Sequence, residues 1–401
     1  SKKHQILSQD FLYAIKDLIY EKSYEGKYCS GCESFKTEKE INNGQCEYHP
    51  GIDLKDISEK NFFFPLTKFK DTNLSEILVN KTLEKELKFI IENCGDISIS
   101  RENVEWGIKI PFSNQTMYVW FEALLNYVFA IGYEPSLLNY LEFSNKWKNS
   151  LIICGKDNLK FQAYILPAIL KSNGINPPSK VFVHGMILDK EGTKMSKSLG
   201  NVVDPISQIE KYGINAVRYY FLAGLNTFQD SAYSEEELVN KYNSELVNNF
   251  GNLIARVTTI AQDAIGELFE NEMGELFEIN INNVNIRKTL NKQYENLKGD
   301  FVDYVNTELN KAHFELQANI NIKNCFAIVN SLITYANKYY TENKPYDKKS
   351  KNRQEVIINL FYLFKEVSIF YRAITPELGD YYTENIAKPE IEKVILYKKI
   401  I

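Results

Sequence analysis

The hydrophobic pattern of the first half of the chain changes its period several times. Residues 8–20 place apolar side chains at helical spacing, which predicts one amphipathic helix. Short apolar or alternating runs follow, and we expect strands at about 97–99, 117–121, 151–154 and 181–183. The run 151–154 is fully apolar, which is typical of a strand buried on both faces of a parallel sheet. Alternation of strands and helices predicts an α/β region with ligand groups at the carboxyl ends of its strands.

The second half keeps helical spacing throughout. One apolar stripe contains Phe250, Leu253 and Val257, and another runs over 356–370 and stops near Pro376. Residues 270–290 are polar and rich in asparagine, which predicts a connection. The predicted fold class is therefore α/β plus all-α, with a helical bundle over 236–401.

Composition places the chain among ordinary globular proteins. It has 401 residues, of which 44% are apolar and 25% are charged, so two or three domains are expected. No apolar run reaches the length of a membrane span, so no membrane contact is expected. The six cysteines are not a disulfide framework, and three of them cluster at metal spacing, which predicts a cytoplasmic protein. The formal net charge of −5 does not indicate a nucleic-acid binder. Bulk charge is a weak test, because local patches steer partners.

Four residues have the spacing of a zinc site: Cys29-x-x-Cys32 and Cys46-x-x-His49. Four nitrogen and sulfur ligands make a closed tetrahedral site, which is structural because no position remains for water. The alternatives are a redox pair, or buried cysteines beside an incidental histidine. The two pairs together favour one structural Zn²⁺, in a knuckle over about 24–66.

A second motif, at 194–198, carries two lysines three residues apart with small hydroxyl neighbours. Lys194 and Lys197 could close over a triphosphate and follow its charge as pyrophosphate leaves. The plain alternative is a solvated lysine and serine loop. The full pentapeptide, ten residues after His184 and followed by Gly200, favours phosphate binding.

The pentapeptide resembles the ATP-binding signature loop of class I aminoacyl-tRNA synthetases. Further matches resemble the methionyl-tRNA synthetases and cover nearly the whole chain, most weakly at about 268–320. They comprise 24–33 with Phe35, Cys46 and His49, then 61–63, 96–101, 120–127, 155–161, 211–219 and 252–256. The resemblance implies the second half of a Rossmann-type catalytic domain. A zinc knuckle would be inserted in it and a helical-bundle anticodon-binding domain would follow. Their expected bounds are 1–100 for the connective region with the knuckle, 101–235 for the catalytic part and 236–401 for the bundle.

The resemblance also implies a role for individual residues. The implied activity is ATP-dependent formation of methionyl adenylate, assisted by Mg²⁺, and transfer of methionine to methionine tRNA. Lys194, Lys197 and Arg101 would act on the phosphates. The residues implied to contact methionine are Trp120, Ala123, Tyr127, Phe161 and Gln162. Those implied to contact ATP are Lys194, Lys197, Asp157, His184 and Gly185. Those implied to contact anticodon bases are Asn252, Arg256 and Tyr346.

The residues alone leave simpler interpretations open. Trp120 and Tyr127 could be ordinary core, and Asp157 could be a helix N-cap. Arg101, at the end of a predicted strand, is expected to project from its edge and could form a surface ion pair. Asn252 and Arg256 share one helical face and could simply be solvated.

The chain departs from the family pattern at several positions. Gln162 stands where the family usually has histidine, Glu122 replaces an aspartate, and Tyr346 replaces a tryptophan. The His-x-Gly-His motif of the first Rossmann half is absent, since the histidines are His4, His49, His184 and His313. We therefore expect a fragment, or one part of a split enzyme, that is inactive alone. The alternatives are a tRNA-binding module without catalysis, or a zinc-bearing synthetase for leucine or cysteine.

Overall fold

The chain forms two compact units. The first consists of Ser1–Met186 with Ser196–Gly200, and the second of Ile187–Met195 with Asn201–Ile401. The predicted domain boundaries at 100 and 235 stay predictions. Among the helices that the structure describes, none is both long and apolar enough to cross a membrane. The computed structural model describes residues 1–31, 34–36, 38, 41–46, 49–70, 74–134, 140–196, 199–261, 297–375, 397 and 399–400.

The first unit opens with helix α1, Lys2–Ala14, whose N-cap is the Ser1 hydroxyl accepting from the His4 amide. One tight turn at Lys16–Leu18 then leads into strand β1, Tyr20–Cys29. The predicted helix over 8–20 was therefore wrong about both ends. Its last apolar positions do face the core of this unit, but from the turn and not from a further helical turn.

Two small antiparallel sheets follow. The first has the order β2-β1-β6-β7, and the second has the order β3-β4-β5. Their strands are β2 Ser34–Lys36, β3 Ile41–Asn42, β4 Gln45–Cys46, β5 His49–Asp53, β6 Lys55–Phe64 and β7 Ile97–Ser98. Helix α2, Glu84–Asn93, precedes β7.

Strand β8, Ser100–Arg101, pairs antiparallel with β9, Thr116–Met117. The strand predicted over 117–121 ends at Met117, and helix α3 occupies Val119–Glu122. Its β-branched and aromatic residues favour a strand locally, but the Phe121 amide bonds to the Tyr118 carbonyl and starts a helical turn. Helices α4, Asn126–Ala130, and α5, Tyr140–Trp147, complete this segment.

Strands β10, Leu151–Gly155, and β11, Lys180–His184, pair in parallel, as predicted. A wide π-type turn at Phe161–Ile165 and helix α6, Leu166–Ser172, cross over between them. The prediction that β10 is buried on both faces was wrong, because Ile153 is 63% exposed while Ile152 is buried.

In its described part, the second unit contains one short parallel pair of strands and a set of helices. The pair is β12, Ile187–Leu188, with β13, Ser231–Ala232. The helices are α7 Pro205–Tyr212, α8 Ile214–Tyr219, α9 Glu235–Lys241, α10 Asp300–Phe314, α11 Ile322–Asn343 and α12 Arg353–Tyr371. Helix α9 continues through a π-type segment and on to residue 261.

Both predicted apolar stripes lie in the core of the second unit. Phe250, Leu253 and Val257 are fully buried, and so is nearly every apolar position of α12 between 356 and 370. The predicted connection at 270–290 and the helix end at Pro376 lie outside the described residues.

Candidate functional site

Three of the four predicted zinc ligands meet in the first unit. Cys29 ends β1, Cys46 ends β4 and His49 begins β5, and their ligand atoms all lie within 4.8 Å of one another. Cys29 Sγ is 3.8 Å from His49 Nδ1. Two ligands about 2.2 Å from a tetrahedral ion are about 3.6 Å apart, so these donors fit zinc. Cys32, the fourth predicted ligand, lies outside the described residues.

The surroundings of this cluster also suit a metal. Both cysteines are fully buried, as thiolates that bind a structural ion should be. A Cβ added to Gly31 would lie 2.7 Å from the His49 ring. Only glycine therefore leaves the histidine in place, and glycine in the first knuckle is required by packing.

The side chains predicted to bind methionine gather on α3, α4 and the π-type turn. The Trp120 and Phe161 rings stack with centroids 4.7 Å apart. Beside them, Gln162 Nε2 donates to the Tyr127 hydroxyl over 3.0 Å. Trp120 and Ala123 are partly buried and Tyr127 is 39% exposed, so this cluster opens to solvent. The structure thus places Trp120 beside Phe161 and Tyr127 beside Gln162, and their role in methionine binding stays a prediction.

Two polar details of this cluster were not foreseen. Gln162 is buried, and its Oε1 has no hydrogen-bond partner among the described residues. A buried acceptor without a partner is costly, so a ligand that donates to it would be favoured. Glu122 pairs with His4 Nε2, which ties α1 to α3. Its carboxylate is thus committed to a structural contact.

The carboxyl ends of β10 and β11 place the predicted nucleotide contacts side by side. Gly155 and His184 are register partners. A Cβ on Gly155 would lie 2.9 Å from Asp157 Oδ1 and 3.5 Å from the His184 ring. Asp157 and His184 are both exposed, while Gly185 is buried. The absence of a Cβ at Gly155 thus lets an exposed carboxylate and an exposed imidazole lie side by side, where one hydroxylated ligand could contact both.

Within the second unit, Asp189 organises the start of the signature loop. Its carboxylate accepts from the Thr193 amide over 2.7 Å and from Asn201 Nδ2 over 2.8 Å. The hydrogen bond from Asn201, with those from the backbone, holds the pKa of Asp189 below its usual value. Asn201 also donates to the Lys194 carbonyl, and the Lys194 side chain is exposed. Lys197 lies outside the described residues.

Arg101 does not project from a strand edge, and that expectation was wrong. Its side chain is 10% exposed, and its Nε lies 2.9 Å from Glu59 Oε2. The guanidinium also lies over the Tyr28 ring, 4.5 Å from the centroid. Burial alone would lower the pKa of Arg101, but the hydrogen bonds and charges of Glu59 and Tyr28 together outweigh burial and raise the pKa.

The residues predicted to read the anticodon lie in the helical second unit. Asn252 and Arg256 are exposed on one face of the helix that continues α9. The Arg256 guanidinium lies 4.1 Å from the Tyr340 ring centroid, and its Nη1 donates to Asn337 Oδ1 over 3.4 Å. The Tyr346 ring is 53% exposed and lies 6.1 Å from that of Tyr340. An exposed ring, a guanidinium and an amide therefore form one polar and aromatic face.

Comparison with known proteins decides the family. The family model described as tRNA synthetases class I (M) matches residues 53–258. A methionine–tRNA ligase from Nostoc sp. is 32% identical over 379 residues, which cover 91% of this chain and 67% of the relative. Another, from Caldanaerobacter subterraneus subsp. tengcongensis, is 31% identical over 371 residues, covering 89% of this chain and 54% of the relative.

The chain belongs to the methionyl-tRNA synthetase family. It spans about half to two thirds of the length of these two curated relatives. Its fold is similar to that of Mycobacterium tuberculosis methionyl-tRNA synthetase in complex with methionyl-adenylate. The TM-score is 0.76 at 24% identity, covering 95% of this chain and 74% of that one. The class I synthetase fold predicted from the sequence is thereby confirmed.

Sequence reasoning missed several residues that hold the methionyl-tRNA synthetase motifs in place. Asp189 supports the signature loop, Glu59 holds Arg101, and Asn337 with Tyr340 holds Arg256. Asp189 could have been noticed from its position before a glycine-containing turn. The others are distant in sequence from their partners, and no local pattern links them.

Proposed function

We propose that this chain carries methionine-binding, ATP-binding and tRNA-binding parts of a methionine–tRNA ligase. The methionine carboxylate attacks the α-phosphate of ATP, and pyrophosphate leaves as methionyl adenylate forms. The methionyl group then passes to the terminal adenosine of methionine tRNA, and AMP leaves. Membership of the family supports the reaction class. The observation that carries the proposal is the cluster of Trp120, Phe161, Tyr127 and Gln162.

This cluster suits the side chain of methionine. The stacked rings of Trp120 and Phe161 offer a polarizable apolar wall, which thioether sulfur contacts favourably. Because the Tyr127 oxygen accepts from Gln162, its proton remains free to be donated. Thioether sulfur is a weak acceptor, so this hydroxyl could bind it. Leucine has no acceptor at that position, which would favour methionine.

The proposed nucleotide contacts follow from chemistry at the ends of β10 and β11. Asp157 would accept hydrogen bonds from the ribose hydroxyls, and His184 with Gly185 would lie beside adenosine. Lys194 and Lys197 would bind the triphosphate, with Mg²⁺ neutralising part of its charge. We assign Arg101 to support of the fold, because its buried pair with Glu59 occupies the guanidinium.

We propose one structural Zn²⁺, held by Cys29, Cys32, Cys46 and His49. When bound, the ion would cross-link the strands of the knuckle. Its four protein ligands would leave no open coordination position for catalysis. Elemental analysis should find one zinc per chain in protein purified without chelator. Protein of the same purity without metal would contradict this assignment.

The exposed face of Asn252, Arg256 and Tyr346 would read the anticodon. Single-stranded bases are recognised by stacking on aromatic rings and by hydrogen bonds to their edges. Arg256→Ala should weaken the preference for methionine tRNA with its CAU anticodon over the same tRNA with another anticodon. Tyr346→Trp, which enlarges the stacking ring, should leave binding unchanged or tighter. Equal affinity for both anticodons in the unaltered chain would remove the basis for this assignment.

The deciding experiment is ATP–pyrophosphate exchange by the chain joined to a segment from a methionine–tRNA ligase that carries the His-x-Gly-His motif. Exchange should depend on methionine and not on leucine or cysteine. Lys197→Ala should slow it by about a hundredfold, as expected for losing one charged donor to the transition state. Exchange driven equally by leucine would contradict the methionine assignment.

A second candidate function is a tRNA-binding module without catalysis of its own. It is favoured by the absence of the His-x-Gly-His motif from this sequence. We expect the 401-residue chain alone to bind methionine tRNA and to show no exchange activity. Robust exchange by the chain alone would contradict this expectation.

A further inference from the structure

A polar groove runs along the second unit between two parallel helical segments. One segment is α9 with its continuation to residue 261, and the other is α11. A cleft of about 420 Å³ opens in this groove. Its lining includes the polar side chains of Lys241, Glu245, Asn249, Lys323, Ser331 and Thr334.

The floor of the groove is fixed by a closed network around Glu245. Its carboxylate accepts from Lys241 Nζ over 2.8 Å, from the Tyr219 hydroxyl and from Asn330 Nδ2 over 3.0 Å. Asn330 Oδ1 in turn accepts from the Tyr371 hydroxyl over 2.9 Å. The charges of Lys241 and Glu245 therefore compensate each other, so this pair gives the cleft no net charge.

Lys323 supplies the uncompensated charge. It lies on the first turn of α11 and forms no ion pair with any residue that the structure describes. The cleft thus has one excess positive charge at this end, which would attract an anion. Its neighbours Ser331 and Thr334 donate to backbone carbonyls four residues earlier on α11. Such bonds are additional to those of the helix, so the hydroxyls can turn outward to a ligand.

The groove is continuous with the face proposed to read the anticodon. Asn249 Nδ2 donates to Thr334 Oγ1 over 3.0 Å, and Asn337 Nδ2 donates to Asn249 Oδ1 over 2.8 Å. Asn337 Oδ1 accepts from Arg256, beside Tyr340. From Lys323 to Tyr340, α11 rises about 25 Å, so this row of polar groups is long enough for several nucleotides.

We propose that this groove seats the ribose–phosphate backbone of the tRNA strand adjoining the anticodon, with Lys323 contacting a phosphate. The proposal rests on the proposed anticodon role of Arg256. Hydroxyl and amide groups along the row can both donate to phosphate oxygens and accept from 2′-hydroxyls, which distinguish RNA. The groove would set affinity and register, whereas the Arg256 face would set base preference.

The test is a titration of the full 401-residue chain with methionine tRNA and with the same tRNA carrying another anticodon, at several salt concentrations. Lys323→Gln should lower the affinity for both tRNAs by the same factor, severalfold. It should also reduce the slope of log affinity against log salt by about 0.7, the value for one phosphate contact on a single strand. The ratio of the two affinities should not change.

The matched control is Lys311→Gln, which removes the same charge from α10. Lys311 is paired with Glu308 and lies on neither helix of the groove. It should leave affinity and salt slope close to those of the unaltered chain. A second variant, Ala327→Glu, places a negative charge at an exposed position of the cleft and should weaken both tRNAs more strongly.

The outcomes separate this proposal from the proposed function. The proposal that the groove binds the tRNA backbone would be overturned if the salt slope did not change in Lys323→Gln. An equal change of the slope in Lys311→Gln would overturn it as well. Loss of anticodon preference in the unaltered chain, with the Lys323 effect intact, would instead contradict the anticodon assignment alone.

Discussion

At the scale of single residues, burial separates the polar side chains that can reach a ligand from those that hold the fold. Asp157 and His184 are exposed at the ends of adjacent strands, whereas Arg101 and Glu59 are both buried and paired. Burying a charge is favourable only with a close partner, so a buried arginine is committed to that partner. From its position at the end of a predicted strand, Arg101 was expected to be exposed like Asp157 and His184.

The Arg101–Glu59 pair leads to a stability prediction. Glu59→Gln should destabilise the chain at pH 7 by about 3–5 kcal/mol, because it leaves a buried guanidinium without its counter-charge. The control is Glu21→Gln, which removes an exposed ion pair with Lys60 on the same sheet and should cost about 0–1 kcal/mol. Urea unfolding followed by circular dichroism would measure both. Equal costs would contradict a buried role for the pair.

The same pair predicts a dependence on pH. Burial alone would raise the pKa of Glu59, but the hydrogen bonds from Arg101 and Asn61 lower it below its ordinary 4.5. Because the folded pKa is lowered, the stabilisation is present above pH 4.5 and is lost as pH falls through the folded value. The stability difference between the unaltered chain and Glu59→Gln should therefore shrink in unfolding titrations below pH 4.5. A constant difference down to pH 2 would contradict this.

Gln162 gives a prediction about methionine binding. Gln162→Leu should weaken methionine binding by about 1–3 kcal/mol, since it leaves Tyr127 without its partner and removes the buried Oε1. Tyr127→Phe keeps the ring but removes the hydroxyl proposed to bind the thioether, so it should weaken methionine binding as well. Calorimetric titration with methionine, on the chain joined to a family segment that carries the His-x-Gly-His motif, would compare them. Identical affinities for all three proteins would exclude a polar contact to methionine.

At the scale of elements, regular periodicity predicted long segments well and short ones poorly. The stripes at 250–257 and on α12 were confirmed because a long helix must bury one face to be stable. The prediction of a strand over 117–121 was wrong, because the helical turn that begins at Tyr118 outweighed the strand preference of these residues. The pairing of β10 with β11 was right, yet the exposure of Ile153 could not be read from an apolar run.

The knuckle offers a prediction at this scale. Gly31→Ala should displace the His49 ring and weaken zinc binding, because the added Cβ would lie 2.7 Å from that ring. Gly95→Ala is the control, since nothing lies within 4 Å of the corresponding Cβ. Competition with a chromophoric chelator would measure both affinities. Zinc affinity that is unchanged in Gly31→Ala would show that His49 is not a ligand.

At the scale of the whole molecule, the residues that the structure describes form two hydrophobic cores. The first is built from α1, the segments around α3 and α4, and the crossover between β10 and β11. The second is built from the helices between α8 and α12. The predicted metal ligands belong to the first unit, and the groove with the Arg256 face belongs to the second. We therefore expect a local change in one core to be felt first within that core.

This separation predicts where loss of metal will be felt. After chelation of zinc, amides of Tyr28 and Cys46 should lose protection from hydrogen exchange, because the short strands of the knuckle bury little else. Amides of the α11 segment around Val329 and Ile333, buried in the second core, should keep theirs. Mass spectrometry of peptides from both regions, with and without chelator, would make the comparison. Equal loss in both regions would mean that the two cores unfold together and that the knuckle stabilises the whole chain.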